Sequence, residues 1–204
     1  MKHLAILLLT LVLAGAATAD PCYSLYTQHS NGGKAWLGVN AGGFVAGEGQ
    51  TFQLNCDGKL LSVSFEVILD GQTWNGSPPL GSGDILTCSI RIPGIVTIAS
   101  TTSVLGYDVG TEWVSFDFSA QNVDLMTGNY LLTCTPIGSG QARMGYWRDS
   151  DAYPSGVRYV SEGGSAGPWI AIGAEFGDLA FKVDMDMPTP NENTSWSAVK
   201  ALYR

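Results

Sequence analysis

The sequence is poor in histidine and in charge. It has two histidines in 204 residues, and His29 is the only one beyond the first three positions. Serine-triad, Cys-His and histidine-ligated metal chemistry therefore lack their parts. Gly163-Gly164-Ser165-Ala166-Gly167 matches the nucleophile-elbow pattern formally. That motif needs a strand before it, a helix after it and a histidine downstream, and no histidine follows, so the stretch reads as a Gly-rich turn. Charged residues make up only 14% of the chain and form no run; the 18 acidic against 10 basic residues give a net charge of −8. Such a surface repels phosphate backbones and anionic membranes alike, which sets nucleic acid aside as a partner. Amphipathic helical periodicity, internal repeats and low-complexity blocks are also missing. Beyond the N-terminus, no apolar run approaches the roughly 18 residues that a membrane span requires.

What is present begins with an export signal. Met1-Lys2-His3 is cationic, Leu4 to Gly15 is apolar, and Ala17-Thr18-Ala19 supplies the small residues of a cleavage point. Residues 1–19 are thus expected to be a signal peptide, followed by a single domain over 20–184. The four cysteines, Cys22, Cys56, Cys88 and Cys134, all follow the signal. An even number in an oxidising compartment points to two disulfides, and their wide spacing with no second ligand type argues against zinc. Three pairings are open. Cys88 shares a face with Leu86 and Ile90, and Cys134 closes another core strand, which favours Cys88 with Cys134 and Cys22 with Cys56.

Gly is abundant, at 26 residues, and it punctuates segments of period two. Val63, Phe65, Val67 and Leu69 alternate with Ser64, Glu66 and Ile68. Leu86, Cys88, Ile90 and Ile92 alternate with Thr87, Ser89 and Arg91. Val114, Phe116 and Phe118 alternate with Ser115, Asp117 and Ser119, and Leu179, Phe181 and Val183 with Ala180 and Lys182. Each is the pattern of a strand with one face in a core. Asp57-Gly58 is expected to close a hairpin between Gln50–Asn55 and Leu60–Leu69. Met126-Thr127-Gly128-Asn129 is expected to close a second, between the Trp113 strand and Tyr130–Cys134. Ile95 to Val104 is a further β-rich run, and strands are also read between Cys22 and Gly49. Strands at regular intervals without helices predict an all-β fold, an antiparallel β-sandwich of the jelly-roll kind; the missing helices exclude a parallel α/β fold.

After Met185 the pattern stops. Residues 185–193 are Pro- and Asn-rich and read as a linker. In the tail, 194–204, Trp196, Val199 and Tyr203 fall on one face of a short helix. This tail resembles the short Trp-Lys-Leu-Tyr endings of some exported bacterial proteins, which implies an address for export or anchoring machinery. Asn75-Gly76-Ser77 and Asn193-Thr194-Ser195 match glycosylation acceptors.

Gly49-Gln50-Thr51-Phe52, Gly58 to Val63, Trp113-Val114-Ser115-Phe116, Leu125-x-x-Gly128-x-Tyr130 and Gly177 to Val183 together resemble secreted bacterial jelly-roll modules of the galactose-binding-like and carbohydrate-binding-module type. The likeness spans about Gln50 to Val183. It implies a non-catalytic module at the cell surface or outside the cell, sometimes carrying structural calcium.

Candidate chemistry concentrates between Met144 and Trp169. Tyr146, Trp147, Arg148, Asp149, Asp151, Tyr153, Arg158, Tyr159 and Trp169 combine aromatic faces for stacking on sugar CH groups with planar polar groups for hydroxyls. The alternative is that Trp147 and Trp169 roof the core while Asp149 and Asp151 cap turns. Asp149-Ser150-Asp151 also offers two carboxylates to calcium, though without a full loop motif. A glycosidase needs two acids across a cleft, and Glu66, Glu112, Glu162 and Glu175 are the candidates. The expected function is non-catalytic binding of a glycan or another extracellular surface ligand; a structural or adhesive surface component is the alternative, and a glycoside-acting enzyme comes third.

Overall fold

The computed structural model describes residues 25–26, 30, 33–39, 45–73, 77–93, 96–138, 140–146, 153, 156–161, 167–173 and 177–186. They form strands β1 (Leu25–Tyr26), β2 (Gly33–Val39), β3 (Val45–Leu54), β4 (Gly58–Leu69), β5 (Ile85–Ile92), β6 (Val96–Val104) and β7 (Gly110–Asp117). A 3-10 turn at Ser119–Gln121 leads to β8 (Asp124–Leu125), β9 (Gly128–Ile137), β10 (Gln141–Tyr146), β11 (Arg158–Ser161), β12 (Trp169–Ala171) and β13 (Phe181–Asp186). The protein is all-β, with two antiparallel sheets.

The first sheet is built on β4. One of its edges takes β13 along Lys59–Phe65 and then β10 at Val67–Ile68, with β1 and β2 beyond them. Its other edge takes β8 and β7. The second sheet runs β12-β11-β3-β9-β5-β6. Strand β3 belongs to both: Val45 and Ala46 pair with β2, and from Gly47 onward the strand pairs with β11 and from Glu48 with β9. A glycine at such a corner lets the backbone bend where a side chain would obstruct it.

The facing sides of the sheets share one core. Val63, Phe65, Val67, Phe116, Phe181 and Val183 come from the first sheet; Phe52, Leu86, Ile90 and Leu132 come from the second, and all are fully buried. Phe65 and Phe116 meet edge to face with centroids 6.3 Å apart. Side chains of this size, withdrawn from water, contribute about 1.5–3 kcal/mol each.

The alternation of β4, β5, β7 and β13 is as expected, but the pairings differ. No hairpin joins β3 to β4 or β7 to β9, because the members of each pair lie in different sheets. Asp57 instead pins a corner: its Oδ1 accepts from Thr127 N at 2.6 Å and from Thr127 Oγ1 at 3.1 Å. The stretch after Gly138, where the sequence shows no strict alternation, contains β10, whose Ala142 and Met144 are core residues. Cys88 and Cys134 are directly opposed and buried, but they are free thiols, not a bridge. Opposed positions on neighbouring strands hold their Cβ atoms about 4.5–5.5 Å apart, wider than the roughly 3.8 Å of a relaxed disulfide. Cys56 is disulfide-bonded; Cys22, its expected partner, lies outside the described residues, as do the signal peptide, the tail and both glycosylation asparagines. The expected linker begins later than 185: Met185 and Asp186 belong to β13, with Met185 buried, and the rest of it lies outside the described residues. None of the helices among the described residues is long and apolar enough to cross a membrane.

Candidate functional site

Strand β3 sends Glu48, Gln50 and Phe52 into the sandwich, so Gly47, Gly49 and Thr51 lie on the outer face of the second sheet. Cross-strand register carries that face outward in rows. Thr133 stands opposite Gly49 and Ser89 opposite Thr133, while Ser100 stands opposite Ser89. In the neighbouring row Thr87 lies between Thr135 and Thr102. On the other flank of β3, Tyr159 opposes Gly49 and Ser161 opposes Gly47, with Trp169 opposite Ser161. The result is a sheet face of hydroxyls around the buried Leu131, whose side chain lies beside Gly49, with a gap at Gly47 and Gly49 where β3 has no side chains.

Trp169 lies across this gap. A Cβ on Gly47 would stand 2.7 Å from the indole Cη2 and 2.7 Å from Thr135 Cγ2. On the far side, the Arg91 guanidinium carbon is 6.0 Å from the ring centroid, a cation-π distance. Thr133, Thr135 and Ser161 beneath are buried, and Trp169 and Arg91 are half-buried. The indole Nε1 is out of contact with solvent and has no hydrogen-bond partner among the described residues, although a buried indole N–H ordinarily finds one. The strand residues on this face include no carboxylate. Its chemistry is that of recognition: an aromatic ring, a guanidinium and two rows of hydroxyls.

Of the residues expected to form one site, the structure brings Tyr159 and Trp169 together on this face. Arg158 departs from the expectation. It points inward and forms a two-pronged ion pair with Glu48, Nε to Oε2 at 2.9 Å and Nη2 to Oε1 at 3.2 Å. Burial pushes the Glu48 carboxyl up to about 7 against the opposing pull of Arg158. Tyr153 packs edge to face on Phe181, centroids 5.5 Å apart, and its hydroxyl donates to Gln53 O and accepts from Gln53 N. It therefore roofs the core, as the alternative had it for the tryptophans. Its backbone N–H donates to Asp178, which also accepts from the Gln50 amide at 2.8 Å. Tyr146 lies on β10; its side chain, and Trp147, Arg148, Asp149 and Asp151, lie outside the described residues. Calcium is thus unaddressed at Asp149 and Asp151, and the described residues hold no cluster of three metal-binding side chains.

The two acid candidates among the described residues, Glu66 and Glu112, do not face each other. Glu66 lies on the outer face of the first sheet, buried, accepting from Ser30 N at 2.8 Å. Glu112, one position before Trp113 on β7, pairs with Val67 and so belongs to the opposite face. Glu162 and Glu175 lie outside the described residues. Gly47, Gly49, Arg91, Thr133 and Thr135 escaped the sequence reading; their signal was Gly-x-Gly and Thr-x-Thr at alternate positions of strands, which empties or hydroxylates one whole face.

No family model matches this chain, and no curated protein does. Among solved structures it is similar to the cysteine protease and lectin-like domains of Cwp84, a surface layer associated protein of Clostridium difficile. That match has 13% identity and a TM-score of 0.45, covering 76% of this chain and 36% of the other. A second similarity, to the structure of infectious bursal disease virus Gt strain, has 12% identity and a TM-score of 0.24, covering 84% of this chain and 37% of the other. The chain therefore spans little more than a third of the solved chains it matches. At these scores neither similarity bears on what it does.

Proposed function

We propose that this chain is an exported, non-catalytic β-sandwich of the jelly-roll kind that binds a carbohydrate at or outside the cell surface, through the outer face of its second sheet. One observation carries the reading: the half-buried Trp169 ring lies over Gly47, where β3 has no side chain, with Arg91 and rows of Thr and Ser around it. Pyranose rings present CH faces to aromatic rings and hydroxyls to polar groups; here the half-buried Trp169 ring supplies the first, and Arg91 with the exposed Ser100 and Thr102 supplies the second. Tyr159, opposite Gly49 on β11, extends the same recognition surface.

The test is a glycan array probed with the full chain and with Trp169→Ala. The expected result is binding to at least one saccharide, reduced about tenfold or more in the variant while its circular dichroism is unchanged. Binding to no saccharide at about millimolar concentration, or binding that Trp169→Ala leaves intact, overturns the proposal.

A further inference from the structure

We infer that the outer edge of β6 is a self-association surface, on which a second copy of this chain adds its own β6 antiparallel and continues the second sheet across a two-fold axis. The inference is independent of the ligand face.

Strand β6 is the last strand of its sheet. Its inner edge is used: Leu105 N donates to Asp84 O at 2.8 Å, and the register continues from there along β5. Successive residues of an antiparallel ladder turn their peptide groups alternately toward the partner strand and away from it. Thr101 and Ser103 therefore bond to β5, and the peptide groups of Ser100, Thr102 and Val104 point away from it. Only one of those outward groups has a partner among the described residues, the Ser100 carbonyl, which accepts from Gln121 Nε2 at 2.9 Å. Edge strands ordinarily discourage such pairing with charge or proline. Val96-Thr97-Ile98-Ala99-Ser100-Thr101-Thr102-Ser103-Val104 has neither. Its apolar side chains are also exposed, Val96 by 54% and Val104 by 62%.

The occupant follows from charge and register. In a chain of net charge −8 two copies repel across most of their surfaces. The other long edge, β7, which runs close to β6, carries Glu112 and Asp117, while the β6 strands themselves bring no charge to their pairing. An antiparallel pair centred on Thr102 sets Thr102 against the partner's Thr102, Thr101 against the partner's Ser103 and Ser100 against the partner's Val104. Every pair keeps to one sheet face, as a pairing of period two demands. The β-bulge near Ile98, at the register shift of β5 and β6, ends the flat stretch. The same strand on both sides makes the contact isologous and closed. A contact made by one strand pair is at the small end of interface sizes, so association is weak and concentration-dependent.

Sedimentation of the full chain between about 1 and about 200 µM tests this, with an expected dissociation constant on the order of 10–100 µM. Thr102→Pro deletes an outward N–H without touching the β5 ladder, and Thr102→Lys puts a charge on an exposed edge position; each is expected to weaken the dimer at least about tenfold with circular dichroism unchanged. Gln121→Ala frees the Ser100 carbonyl and is expected to tighten it. A chain monomeric over the whole range, or a dimer that neither Thr102 variant weakens, overturns the inference.

Discussion

Glu48 and Arg158 are 110 positions apart in sequence and form a two-pronged ion pair inside the sandwich, at 2.9 and 3.2 Å. The groups around Glu48 explain its raised pKa. Val160, its register partner on β11, is apolar, Cys134 opposite it on β9 is a neutral buried thiol, and the described first-sheet residues facing the core are apolar. Arg158 alone compensates. The folded chain thus holds the Glu48 proton up to about pH 7 against an ordinary value of 4.5. Between those values the native state binds more protons than the unfolded state, so this contribution to stability is complete below about pH 4.5 and is lost as pH rises to about 7. Denaturant midpoints of the wild type are expected to fall over that window relative to Glu48→Gln, whose profile is flat there; parallel profiles would refute the assignment. Arg158→Met leaves a buried carboxyl unpaired and is expected to cost about 3 kcal/mol at about pH 8. A loss below about 1 kcal/mol would mean that the pair is solvated.

The thiols of Cys88 and Cys134 give a second test. Both side chains are fully buried, and burial drives both pKa values up, with Cys134 beside Cys88 and Glu48 beside Cys134 adding in the same direction. A thiol without thiolate character or access is inert. Iodoacetamide is therefore expected to label neither in the native protein over hours at about pH 8, and to label both within minutes in guanidinium chloride. Rapid native labelling of either would show that the second sheet opens locally at β5 and β9.

Much of the fold was legible where alternation is strict, and the reason is local. Val63, Phe65, Val67 and Leu69 announce an inward face without reference to any other segment. Pairing is not local, so the expected hairpins failed: what places β3 against β9 is the match of Glu48 to Leu54 with Gly128 to Cys134, and two strands close in sequence are equally content in opposite sheets. Strand β10 was hidden because only Ala142 and Met144 face the core, and Gln141, Arg143 and Gly145 read as loop. The candidate site was half legible. Trp169 and Tyr159 were marked by residue type, but Arg158 carries the same mark and turns inward, since the carboxylate waiting for it lies on a strand far back in the chain. The gap itself was illegible by residue type, because glycine signals nothing until its neighbours are known.

That gap makes the sharpest prediction. In Gly47→Ala the new methyl meets the Trp169 ring and Thr135 Cγ2, each 2.7 Å away, closer than carbon atoms approach. Gly47 sits where β3 passes from one sheet to the other, and Thr135 is anchored in the central strand β9, so neither yields easily. Trp169 rides on β12, which among the described strands pairs with β11 alone, and β11 pairs there with β3 and β12 alone. The hairpin is therefore the part that moves. Gly47→Ala is expected to lift the indole into water, with a red shift of tryptophan emission and a stability loss of about 1–3 kcal/mol. Saccharide binding should fall as far as it does in Trp169→Ala. The double variant Gly47→Ala, Trp169→Ala should recover only part of the lost stability, because the clash with the ring disappears while that with Thr135 Cγ2 remains. If the single substitution proves silent in emission and stability alike, Trp169 does not lie over the gap, and the binding face is not the one described.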